Sequence, residues 1–307
     1  MNNFLNIAMD AALRAGGAIL EIYKRDFEVE FKADESPLTE ADKAAHHIIV
    51  DALEDTGLPI LSEESKAVAY EERKEWTKYW LVDPLDGTKE FIKKNGEFTV
   101  NIALIENGRP VMGVVYAPVL GTVYCGMSDV EGGTSKAWKA TECAGKSVDE
   151  VLESAISLPT TCPPKPLAKD GSHISRSTIR VVASRSHMNA ETEAFIAELE
   201  KQGRRIELVS SGSSLKLCMV AEGSAEAYPR IAPTMEWDTA AAQAVVEASG
   251  GRVVEYDPAV PAASYFCGKS EVESGMLHPT SHILHPTEAL SYNKADLLNP
   301  FFVVSRK

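Results

Sequence analysis

The stretch Asp83-Pro84-Leu85-Asp86-Gly87-Thr88 sets two carboxylates three residues apart, with a proline between them and a glycine directly after. Residues alternate between the faces of a regular strand, whereas a tight turn forced by proline and glycine lets both acids converge and adds the Leu85 carbonyl as a third oxygen. Hard oxygen donors of this kind suit magnesium, which takes few carboxylates and fills its other positions with water and substrate phosphate oxygens. In isolation an acidic turn is more often solvated than catalytic, so the other chemically capable side chains matter. Glu63 and Glu64 follow the short apolar segment Pro59-Ile60-Leu61-Ser62, and Asp238 opens an alanine-rich stretch far downstream. Lys216 and Arg230, taken alone, read as surface cations. His278, His282 and His285 have metal-like spacing, but Pro279 and Pro286 break any helix there and favour a solvated loop. His46 and His47 read as packing or surface residues of a helix, and Cys218 as a small core residue rather than a nucleophile.

The elements that must position these groups follow from periodicity. Leu5, Ala8, Ala12, Ala15, Ile19 and Ile22 predict an amphipathic first helix. Val29 to Lys32 reads as a short strand and Ser36-Pro37-Leu38-Thr39 as a loop capping a second helix from Glu40 to about Asp55. Pro59 to Ser62 and Tyr79 to Val82 read as buried strands that deliver Glu63, Glu64 and Asp83 at their ends. Phe98 to Ile105 and Val111 to Tyr116 form a hairpin across Glu106-Asn107-Gly108-Arg109-Pro110, followed by a strand over Thr122 to Gly126. Residues 127 to 178, rich in glycine, proline and small polar side chains, read as a surface excursion or linker with one helical turn over Val148 to Ser154. Strands are expected at Ile179 to Ala183, Ile206 to Val209, Ala225 to Tyr228, Arg252 to Tyr256 and Phe301 to Val304. Helices are expected at Ala190 to Lys201, Ser213 to Val220 and Asp238 to Ala248. The result is an α+β, layered α/β fold with mixed sheets in two halves, 1–178 with most of the candidate ligands and 179–307 with Asp238.

A chain of 307 residues, 44% hydrophobic and 25% charged, can bury a sizeable core without staples. Its net charge of −14 repels a phosphate backbone at long range and excludes a nonspecific partner of the nucleic-acid polymer type. A small anion remains admissible where carboxylates recruit cations locally. Five widely spaced cysteines without a Cys-x-x-Cys pair read as reduced thiols of a cytoplasmic protein. Asp10 and Arg14 break the N-terminal apolar run, no membrane span is expected, and the acidic balance offers no basic anchor, although peripheral association with a membrane stays open. Oligomeric state is not encoded in these features.

Three motifs in order bear on function: Ser62-Glu63-Glu64, Asp83 to Thr88, and Glu236-Trp237-Asp238-Thr239-Ala240-Ala241. On these the sequence resembles the lithium-sensitive, magnesium-dependent phosphatase superfamily that includes inositol monophosphatase and the nucleotidases acting on adenosine 3′,5′-bisphosphate. It resembles most closely the CysQ-type bacterial 3′(2′),5′-bisphosphate nucleotidases, through Trp80-Leu81-Val82-Asp83 continuing to Lys89-Glu90-Phe91-Ile92, Asn95 to Asn101, Gly212 to Lys216, Tyr228-Pro229-Arg230 and Leu298-Asn299-Pro300. The long 127–178 segment and the histidine-rich stretch before residue 286 depart from the pattern. The resemblance implies an αβαβα sandwich and an enzyme in which Glu63, Asp83, the Leu85 carbonyl, Asp86 and Asp238 hold two or three Mg2+ ions. It takes Glu63 rather than Glu64 as the first ligand. Thr88, backed by Asp42 of the Thr39-Glu40-Ala41-Asp42 helix start, would hydrogen-bond the attacking water. Gly87 and Thr88 amides would meet the reacting phosphate, while His187, Ser213, Lys216, Arg230 and Asp238 would bind the rest of a nucleotide bisphosphate substrate. The implied reaction is hydrolysis of the 3′-phosphate of adenosine 3′,5′-bisphosphate to AMP, with the sulfated analogue as a candidate second substrate. The alternatives are an inositol or sugar phosphate phosphatase and a non-catalytic nucleotide or metal sensor.

Overall fold

The computed structural model describes residues 3–31, 37–128, 135–159, 178–183, 188–266 and 288–306. His187, the histidines at 278, 282 and 285, and Cys162 and Cys267 lie outside the described residues.

Strand β4 (Lys78–Asp86) shows how the chain builds its layers. Tyr79 and Leu81 enter one core while Trp80 and Val82 enter another on the opposite face, so a strand covered on both sides reads as a continuous apolar run. β5 (Thr99–Glu106) repeats the pattern, with Ala103 and Ile105 on one side and Val100, Ile102 and Leu104 on the other. These two lie in a seven-stranded sheet with β3 (Ile60–Ser62), β6 (Arg109–Ala117), β7 (Thr122–Met127), β8 (Lys136–Ala140) and β9 (Ile156–Ser157), in the order β3-β4-β5-β6-β7-β8-β9. Among the described strands of this sheet, β3 pairs parallel with β4 and the remaining pairs are antiparallel.

Helices α1 (Asn3–Tyr23) and α2 (Glu40–Glu54) cover the Trp80 face, and the single turn α3 (Tyr70–Arg73) precedes β4. The Tyr79 face is covered by α8 (Glu236–Ala248) and α7 (Leu215–Glu222). Gly113 of β6 faces Ala241 of α8, where even a methyl group would strike helix backbone, so the missing side chain sets how closely α8 lies on the sheet. These middle helices also support a five-stranded sheet of order β11-β10-β12-β14-β13, built from β10 (Thr178–Val182), β11 (Arg205–Val209), β12 (Ala227–Arg230), β13 (Gly251–Glu255) and β14 (Phe302–Arg306). In β14, Phe302 and Val304 face the middle helices and Val303 faces the outer core under α6 (Ala190–Lys201). The layers therefore run helices, sheet, helices, sheet, helix, as the expected αβαβα sandwich requires.

Three local expectations change. Pro37–Thr39 is not a loop but strand β2, paired antiparallel with β1 (Val29–Phe31), and proline as its first residue is compatible with that pairing. Thr39 still caps α2. Within the 127–178 stretch read as an excursion or linker, β8 and β9 join the large sheet with helix α5 (Val148–Glu153) between them, their short, polar-rich sequences having hidden the strand period, while 129–134 and 160–177 lie outside the described residues. Finally, Asp83 to Asp86 is not a turn after a strand. β4 runs through Asp86 with a register irregularity between Asp83 and Asp86, and the chain turns at Gly87.

Candidate metal and phosphate site

The irregularity in β4 does the work assigned to a turn. It shifts the period so that Asp83 and Asp86 meet on one side, and carboxylate oxygens of Asp83, Asp86 and Asp238 lie within 4.8 Å of one another. Asp83 is 1% exposed and accepts from the Leu85 amide at 3.0 Å. Glu63, just after β3, faces Asp83. Burial and then the charges of Glu63, Asp86 and Asp238 push the Asp83 carboxyl well above the usual carboxylate range. Burial, followed by Asp86, likewise pushes Asp238 up to about 8, although the Met235 amide and Arg230 pull it back. A buried carboxylate and two half-buried ones, repelling one another, are the hard oxygen donor set a divalent cation would complete, so the residues fit a metal of the magnesium class.

The start of α8 presents Asp238. Its Oδ2 accepts from the Met235 amide at 2.9 Å as a helix cap, and its backbone carbonyl lies 2.7 Å from Ser214 Oγ, whose single proton it shares with Asp86. Asp86 Oδ2 accepts from the Ser214 amide at 2.6 Å and Ser214 Oγ at 2.7 Å, with longer contacts from Thr99 Oγ1 and Asn101 Nδ2, both at 3.4 Å. Oδ1 of Asp86 carries none of these bonds. Asn101 Nδ2 in turn donates to Ser214 Oγ at 2.8 Å.

Asp42 occupies the same place in α2 that Asp238 occupies in α8. Thr39 donates to its Oδ2 from N at 2.7 Å and from Oγ1 at 2.6 Å, closing the expected helix cap. Its Oδ1 faces Thr88 Oγ1 at 3.3 Å, and that hydroxyl also reaches the Leu85 carbonyl at 3.4 Å, so one proton has two acceptors. Burial, with a smaller contribution from Glu64, raises the Asp42 pKa despite the Thr39 bonds. Gly87, at φ 91°, supplies the left-handed residue that turns the chain from β4 into the short helix α4 (Thr88–Ile92). His46, one turn after Asp42, touches Ser62 Oγ at 3.0 Å, which places it against β3 and not in the acidic cluster.

Beside the acids lies a cavity of about 140 Å3 lined by Asp86, Gly87, Ser213, Lys216, Arg230 and Asp238 together with Glu90 and Thr234. Lys216 Nζ donates to the Ser213 carbonyl at 3.2 Å and Arg230 Nη2 to the Pro233 carbonyl at 2.7 Å. Ser213 Oγ, Arg230 Nε and Thr234 Oγ1 are buried with no hydrogen-bond partner among the described residues. The structure thus gathers Glu63, Asp83, Leu85, Asp86, Asp238, Thr88 and Asp42 at one place and Ser213, Lys216 and Arg230 next to it. Sequence reasoning missed Ser214, Asn101 and Thr234. The Gly212 to Lys216 motif contained Ser214, but its direction follows from Ser213 at φ 45°, which residue types do not announce.

Residues 1–285 match the model of the inositol monophosphatase family. The 3′(2′),5′-bisphosphate nucleotidase CysQ of Escherichia coli K12 is 45% identical over 249 residues, 80% of this chain and 87% of the relative. The protein of the same name from Haemophilus influenzae is 31% identical over 305 residues, 98% and 92% of the two chains. The crystal structure of CysQ from Bacteroides thetaiotaomicron superposes with a TM-score of 0.75 at 44% identity, covering 98% of this chain and 96% of that one.

Proposed function

The chain belongs to the inositol monophosphatase family, and on that premise we propose that it is a 3′(2′),5′-bisphosphate nucleotidase that hydrolyses the 3′-phosphate of adenosine 3′,5′-bisphosphate to give AMP and phosphate. The observation that carries this reading is the cavity in which Ser213, Lys216 and Arg230 stand against Asp86 and Asp238. A monophosphate would need only the acidic cluster and its cations; a second anionic group needs its own donors, and in a chain of net charge −14 they have to be local. Recycling of this nucleotide in sulfur assimilation is the matching role, with the sulfated analogue as a second substrate.

Glu63, Asp83, Asp86, Asp238 and the Leu85 carbonyl are the groups that would hold two or three Mg2+ ions. When bound, magnesium neutralises charge on the phosphate oxygens and makes water a stronger acid. Thr88 Oγ1 orients the attacking water by accepting its proton while donating its own to Asp42 Oδ1. Asp42 suits the role of base because burial raises its pKa while Thr39 fixes its orientation. The Gly87 and Thr88 amides face the reacting phosphate at the turn out of β4, and Ser213, Lys216 and Arg230 hold the phosphate that does not react. His187 is assigned to the nucleoside by resemblance alone and lies outside the described residues.

Phosphate release measured with adenosine 3′,5′-bisphosphate, inositol 1-phosphate and fructose 1,6-bisphosphate tests the assignment. The nucleotide should have the highest kcat/KM. Faster turnover of the inositol phosphate would replace this reading with that of a sugar or inositol phosphatase.

A further inference from the structure

Burying a polar atom without a partner is costly, and proteins tolerate it chiefly where water or a ligand completes the bonding. Three residues lining the cavity beside the acidic cluster carry such atoms among the described residues: Ser213 Oγ, Arg230 Nε and Thr234 Oγ1. The first two belong to residues already assigned to the non-reacting phosphate. Thr234 has no assignment.

Its position is fastened from both sides. The Asn299 amide donates to the Thr234 carbonyl at 2.8 Å, Asn299 Nδ2 to the Met235 carbonyl at 2.8 Å, and the Glu236 amide to the Leu297 carbonyl at 2.9 Å. The Arg230 guanidinium reaches the carbonyl of the preceding residue, Pro233, through Nη2. The backbone around Thr234 therefore has partners on the 297–299 segment and on Arg230, while the hydroxyl has none among the described residues. A site held in place before the ligand arrives loses less entropy on binding.

The chemistry of the set selects the ligand. Arg230 and Lys216 can only donate, and the Ser213 and Thr234 hydroxyls can both donate. Several donors around a small cavity fit a tetrahedral oxyanion. We propose that Thr234 is a specificity-determining residue whose hydroxyl donates to the non-reacting phosphate of the bisphosphorylated substrate, alongside Ser213 and Arg230. The proposal rests on the nucleotidase reading above and extends it to a residue outside the recognised motif.

Thr234→Val removes the hydroxyl at nearly constant shape, and Thr234→Ser keeps it. The readout is the ratio of kcat/KM for adenosine 3′,5′-bisphosphate to kcat/KM for adenosine 3′-monophosphate, which lacks the second phosphate. The ratio should fall by about tenfold or more in Thr234→Val, the scale of one hydrogen bond to a charged group, and return to within about threefold of the parent in Thr234→Ser. Equal losses on both substrates, an unchanged ratio, or a serine variant that behaves like valine would overturn the proposal while leaving the nucleotidase reading in place. A parent enzyme with no preference for the bisphosphate would overturn both.

Discussion

Ser214 ties three elements of the site together, so replacing it with alanine tests whether the acidic cluster depends on that tie. Its hydroxyl contacts Asp86 Oδ2 and the Asp238 carbonyl at 2.7 Å each and accepts from Asn101 at 2.8 Å. The residue is 1% exposed, which leaves little room for water to take over those bonds. Ser214→Ala keeps the amide bond to Asp86 at 2.6 Å, so Asp86 is loosened rather than released. One hydrogen bond to a charged group is worth about 1.5–3 kcal/mol. If about 2 kcal/mol of that is lost from the proposed magnesium site, the Mg2+ concentration for half-maximal phosphate release rises about 30-fold. The same loss lowers the melting temperature by several degrees, about 2–4 °C per kcal/mol for a chain somewhat smaller than this one. Ser224→Ala provides the control, because that hydroxyl bonds the Met219 carbonyl and Glu222 at the far end of the same helix. It should melt lower without a changed magnesium dependence. A Ser214→Ala enzyme that also melts lower but keeps its magnesium dependence within about twofold would refute the positioning argument.

Other consequences can be checked directly. After chelator treatment the repelling acids lack a counter-charge, so Mg2+ at about 100 times its Kd should add about 2.7 kcal/mol of stability, seen as a rise in melting temperature. That rise should largely vanish in Asp86→Asn, and a melt indifferent to magnesium would refute the donor set. In Asp42→Asn the two Thr39 donors retain the oxygen of the amide, which turns the NH2 group towards Thr88 and reverses that bond. Single-turnover hydrolysis should slow about 10²–10⁴-fold with little change in magnesium affinity, and a wild-type rate would remove Asp42 from the mechanism. Burial, then the neighbouring Cys143, pushes the Cys125 thiol up to about 12. The unfolded chain ionises it near 8.5, so the folded state holds the proton longer and stability falls as pH rises from about 9 towards 12, on the order of 1 kcal/mol per unit. Urea unfolding at pH 8.5 and 10 should show that part of the slope disappearing in Cys125→Ala; parallel slopes would contradict it.

Much of this was legible in the sequence because local chemistry and burial pointed the same way. The continuous apolar run before Asp83 is a strand covered on both faces, and Thr39-Glu40-Ala41-Asp42 is a helix cap whose spare oxygen faces Thr88. Failures fall where distant segments decide local shape. Proline and glycine around Asp83 to Asp86 suggested a turn, but pairing with β5 carries the strand through, and an irregular register brings the acids together instead. Thr234 carries no motif, since the bonds that hold its loop come from residues 297–299.

The pairing of Asp42 and Asp238 explains why the site can exist before a cation arrives. Each is the third residue of its helix and accepts a capping bond from the residue three places back, Thr39 or Met235, where amide donors and the helix dipole favour negative charge. One oxygen of each acid is thus secured by its own helix, leaving the other for the chemistry. Asp83 lacks that compensation: it is buried at the centre, with one amide bond and carboxylates around it, and its pKa is held well above the ordinary range. The two helices lie on opposite faces of the large sheet, α2 packed in one core and α8 in the other, and β4 passes between them with Asp83 and Asp86 at its end. The packed cores hold the acids in position against their mutual repulsion, and the helix caps keep the outer two oriented. Changing Asp83 should therefore alter metal binding alone, whereas removing the Asp238 carboxyl should also loosen the start of its helix.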